Sequence, residues 1–73
     1  MPQASRKLSP RETEALALIA GGATNKQMAL AMGIAERTVA GLVSSILVKL
    51  QAPNRAAAAA MYAASSRGEP RKN

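Results

Sequence analysis

Apolar residues along this chain recur at helical spacing. The clearest run is Val39, Val43, Ile46, Leu47 and Leu50, which fall at i, i+4, i+7, i+8 and i+11 and form one stripe down a helix expected over about 36–50. Leu42 lies at the edge of that stripe, while Arg37, Gly41, Ser44, Ser45 and Val48 fall on the opposite, solvent side. Upstream, Ala15, Leu16 and Ile19 mark the inner face of a helix reaching about Ala20, and Met28, Ala29 and Met32 mark that of a short one over roughly 25–31. Five consecutive alanines, Ala56 to Ala60, followed by Met61, Tyr62, Ala63 and Ala64, predict a fourth helix over about 55–65.

The polar residues between these runs punctuate them. Ser9-Pro10-Arg11-Glu12 is a helix start: Ser9 caps free N–H groups, Pro10 suits the first helical position and Glu12 completes a capping box. Gly21-Gly22 ends that helix, and Thr24 with Gln27 repeats the box for the next. Gly33 supplies a turn at positive φ, and Ile34 plugs the core between two helices. Ala35 is a poor cap for the third helix and Gly41 a weak mid-helix residue, each costing on the order of 1 kcal/mol, so that helix leans on tertiary packing. Pro53 breaks the chain and Asn54 caps the fourth helix.

A short helix, a glycine turn and a second helix entered at Glu36 read as a helix-turn-helix, whose second helix normally lies in the major groove of DNA. The expected architecture is all-α, a compact four-helix helix-turn-helix domain over 8–65, with a flexible basic lead-in over 1–7 and a disordered basic tail over 66–73.

Charge supports a polyanionic partner. Ten Lys and Arg against four acids leave +6, and the isoelectric point is near 11.0. The chain of 73 residues has no His, Cys, Asp, Trp or Phe. A Ser-His-Asp or Cys-His arrangement is therefore impossible, no His/Cys metal cluster can form, and the expectation is no enzyme, no cofactor and no small-molecule substrate. No apolar run approaches the ~20 residues of a membrane span, and the polar N-terminus is not a signal peptide, which points to the cytosol.

The sequence resembles the DNA-binding domain of the LuxR/GerE family of bacterial transcription regulators. The likeness covers roughly Leu8 to Ala64. It rests on Leu8-Ser9-Pro10-Arg11-Glu12 with Glu14 and Leu16, then Thr24 to Ala29, Gly33-Ile34, Thr38-Val39, Val43, Ile46-Leu47, Lys49-Leu50 and Asn54-Arg55. The resemblance implies four helices, the second and third forming the helix-turn-helix and the fourth often making a dimer contact. It implies that Asn25, Lys26, Thr38 and Lys49 touch the DNA backbone, roles suited to helix N-termini and lysines.

The chain departs from that family where bases are read. Members commonly carry basic or amide residues after the Thr-Val pair, whereas this chain has Ala40, Gly41 and Leu42, then Ser44 and Ser45. Only the serines and Arg37 offer hydrogen bonds to a base edge, with Ala40 and Val48 limited to a thymine methyl. The leading expectation is a stand-alone regulator, binding double-stranded DNA in the bacterial cytoplasm at the nucleoid through Asn25, Lys26, Arg37, Thr38, Ala40, Gly41, Ser44, Ser45 and Lys49. A homodimer is expected through Ala57, Ala60, Met61 and Ala64 of the fourth helix. Two alternatives stay open: a helix-turn-helix turned into a protein-interaction module, with Ala40, Gly41, Leu42 and Val48 as its smooth face, or a plain bundle.

Overall fold

A computed structural model describes residues 7–68, with side chains through Ser65. Four helices follow one another: α1 (Pro10–Ala20), α2 (Asn25–Met32), α3 (Glu36–Leu50) and α4 (Arg55–Gly68). The all-α, four-helix class thus holds. α4 runs three residues past its expected end, so 66–68 of the expected tail are helical. The rest of that tail, and the lead-in before Lys7, lie outside the described residues.

Three of the four helix starts are fixed locally by a side chain. The Ser9 hydroxyl accepts from the Glu12 N–H at 3.1 Å while the Ser9 N–H donates to Glu12 Oε1 at 2.8 Å. Thr24 and Gln27 form the same reciprocal pair, at 3.1 and 2.8 Å. Asn54 Oδ1 accepts from the Ala57 N–H at 2.8 Å. α3 alone has no side-chain cap, since Ala35 has nothing to offer.

The ends of α1, α2 and α3 share one device. A residue at positive φ (Gly22 at 90°, Gly33 at 69°, Gln51 at 57°) turns the chain. The next N–H then reaches back five residues to a terminal carbonyl: Ala23 to Leu18, Ile34 to Ala29, Ala52 to Leu47. Ala23 and Ile34 are half-buried against the core and Ala52 is buried in it, so each turn also closes a hydrophobic contact. Gln51 holds the left-handed geometry despite its side chain, at a cost glycine avoids at the other two.

α1 packs on both α3 and α4, and α2 packs on α3. Met28, Val39 and Ile46 are the largest fully buried side chains, joined by Ala15, Leu16, Ile19, Ala29, Met32, Ala52 and Ala58. Ala58 is the point at which α4 enters the core, and its missing bulk lets α4 lie close. α2 and α3 meet at 106°, the elbow of a helix-turn-helix. Among the described residues no single helix is long and apolar enough to cross a membrane.

Candidate nucleic-acid interface

Packing α3 through Val39 and Ile46 leaves its other side in water. Glu36, Arg37, Thr38, Ala40, Gly41, Ser44 and Val48 are all exposed. Arg37, Gly41, Ser44 and Val48 repeat at i, i+4, i+7 and i+11, one stripe opposite the buried one. Val48 is 74% exposed, and the structure offers Gly41 no neighbour within 4 Å of where a Cβ would stand. The stripe is narrow and smooth, with Arg37 at its entry beside Glu36.

Ser45 was expected on that stripe and is instead half-buried, turned toward α1. Its hydroxyl donates to Glu12 Oε2 at 2.5 Å, and the Lys49 ammonium donates to Glu12 Oε1 at 2.8 Å. Glu12, 6% exposed, therefore caps α1 and holds α3 at once. Hydrogen bonds from Lys49, Ser45 and the Ser9 N–H drive its carboxyl down to about 2 from 4.5, against a smaller desolvation effect in the other direction. The fold thus commits two of the expected DNA contacts, Ser45 and Lys49, to an internal carboxylate. Neither partner is near Glu12 in sequence, so no local pattern signals the cluster.

At the start of α2, Lys26 is exposed and makes no ion pair among the described residues; the same is true of Arg37 on α3. Asn25 is half-buried, its Oδ1 accepting from Arg55 Nη1 at 2.6 Å. Arg55 Nη2 also donates to the Ala23 carbonyl at 2.7 Å and meets Met28 Sδ at 3.3 Å. Sequence reasoning gave Arg55 no role; its partners lie 27 to 32 residues away. Arg11 makes a parallel tie, its Nη2 donating to the Met32 carbonyl at 3.0 Å and its Nη1 pairing with Glu14 at 2.8 Å. The two arginines thus brace both ends of α2 from neighbouring helices.

On α4, Ala60 and Ala64 are exposed and Met61 is 44% exposed, while Ala57 is half-buried against the core. Met61 and Tyr62 line a cleft of about 240 Å³ with Leu8, Thr13, Leu16, Leu50 and Ser65.

Residues 6–62 match the model of the luxR family of bacterial regulatory proteins, well over half of the chain. The chain belongs to that family. Two relatives agree. It is 43% identical over 53 residues to an uncharacterized transcriptional regulatory protein, YhcZ, of Bacillus subtilis strain 168, and 41% identical over 64 residues to a probable transcriptional regulatory protein, SgaR, of Hyphomicrobium methylovorum. These alignments take in 73% and 88% of this chain but only 25% and 30% of the relatives. No solved structure gives a significant match. As a luxR-family domain, the chain carries a DNA-binding helix-turn-helix, and α2 and α3 have its geometry.

Proposed function

We propose that the protein regulates transcription by laying α3 along the major groove while the start of α2 and its Lys26 rest on phosphate. The observation that carries this reading is the exposed Arg37–Gly41–Ser44–Val48 stripe on α3, facing away from the core and joined at 106° to a helix whose first turn bears a cation, Lys26, with no ion pair among the described residues. Phosphates supply most of the affinity, because so few groups on the stripe address bases: Arg37 to guanine, Ser44 to any edge, Ala40 and Val48 to a thymine methyl. Discrimination is modest and shared with DNA shape. The Glu12-bound Lys49 contributes less to phosphate neutralisation than Lys26 does. Exposed Ala60, Met61 and Ala64, flanked by Ala57, form the homodimer contact, which places two α3 helices about 34 Å apart on half-sites. The site of action is the bacterial cytoplasm, at the nucleoid.

Titration of a duplex at several salt concentrations tests this. Affinity falls steeply with salt, and Lys26→Ala reduces the logarithmic slope by about one with little dependence on sequence. Binding that ignores salt overturns the reading. A second reading, a protein partner on the same face, is favoured by one observation, the 74% exposure of Val48. A Val48→Glu variant that releases a specific protein while wild type binds no duplex would select it.

A further inference from the structure

We propose that Arg55 is a positioning residue for the DNA grip: it sets the Asn25 carboxamide so that the amino group faces outward at the start of α2, as a donor to a phosphate oxygen. The inference rests on the DNA-binding mode proposed above. Arg55 stands at the first position of α4, where the helix's own dipole disfavours a cation. No carboxylate pairs with it among the described residues. What holds it there is the α1–α2 connection: Nη1 on Asn25 Oδ1, Nη2 on the Ala23 carbonyl, and Met28 Sδ against Nη2. The two oxygens flank Thr24, the residue that caps α2, so the guanidinium grips the entry to α2 on both sides of its cap.

The orientation of the amide follows from elementary chemistry. A guanidinium has N–H donors and no acceptor, so the amide atom turned to it at 2.6 Å is oxygen. Asn25 Nδ2 then points the other way and has no protein acceptor among the described residues. It sits in the first turn of α2 next to Lys26, where the helix dipole favours an anion. Without Arg55 no partner among the described residues fixes the amide, and the phosphate must orient it on binding.

Three substitutions separate positioning from plain bracing. Asn25→Asp keeps an oxygen for Arg55 but replaces the outward donor with a carboxylate oxygen. We expect thermal stability to be held or raised while duplex affinity falls about tenfold or more through like-charge repulsion. Arg55→Gln and Asn25→Ala each weaken binding, and the double variant is no weaker than the poorer single one, because the amide acts only when oriented. Wild-type affinity in Asn25→Asp, or losses that multiply in the double variant, overturns the proposal. Should Arg55→Gln fail to fold, the Asn25→Asp result decides alone. Lys26→Ala run in parallel isolates the parent reading: if wild type binds no duplex, that reading and this one fall together. If Lys26→Ala shows the expected loss and Asn25→Asp does not, only the role of Arg55 falls.

Discussion

Protonating Glu12 should unlock α1 from α3, and the size of the effect follows from the geometry. Three donors reach this carboxylate: Ser9 N–H and Lys49 Nζ at 2.8 Å each, and the Ser45 hydroxyl at 2.5 Å. They take its pKa from 4.5 to about 2. Because the folded value is the lower one, the unfolded chain binds the proton more readily between the two. The stabilisation is therefore complete above pH 4.5 and is lost as pH falls toward 2. At ~1.4 kcal/mol per pH unit that interval corresponds to at most about 3–4 kcal/mol. Lys49 is 30% exposed, so water screens its share, and about 2 kcal/mol is the working figure. A domain this small has a total stability of only a few kcal/mol, so the loss is large. Urea unfolding followed by helical circular dichroism, repeated from pH 7 to pH 2 on wild type and Glu12→Gln, gives the measurement. At pH 7 the variant is weaker by about 2 kcal/mol, and the two converge at low pH. Parallel curves across the range would show that the carboxylate does not hold the helices together.

Three further outcomes follow from the same structure. Gly41→Ala raises thermal stability by an amount near 1 kcal/mol, since the helix gains and no atom stands within 4 Å, and it weakens duplex binding if α3 lies flush in the groove. Calorimetry and a DNA titration on one sample read both signs. Arg37→Ala lowers discrimination between duplexes by about 1–3 kcal/mol in competition binding, while leaving the fold unchanged because Arg37 is exposed and makes no ion pair among the described residues. Met61→Glu, altering a side chain 44% exposed, shifts sedimentation toward monomer and reduces binding to a two-half-site duplex more than to a single half-site.

The parts of this molecule legible in its sequence are those governed by near neighbours. Ser9 with Glu12 and Thr24 with Gln27 are three residues apart, and both boxes form. Gly33 takes the positive φ that its place between two helices requires, and the α3 stripe buries Val39 and Ile46 as its period demands. Long-range chemistry was illegible. Period alone put Ser45 on the solvent side, yet it lies at the stripe's margin, where a buried acceptor 33 residues away draws it inward. Lys49 reads as a surface cation until Glu12 is brought to it, and Arg55 reads as one until the α1–α2 connection folds against it. The left-handed turn at Gln51 carries no local signal, because glycine, the usual marker, is absent there.

Amide chemical-shift mapping of the labelled protein with a short duplex addresses the central claim most directly. The account predicts shifts concentrated at Asn25 and Lys26 and along Arg37, Thr38, Ala40, Gly41 and Ser44, with the Leu8–Leu16–Tyr62 cleft unmoved. Shifts gathered on the cleft, or none on the α3 stripe while the duplex is bound, would contradict it.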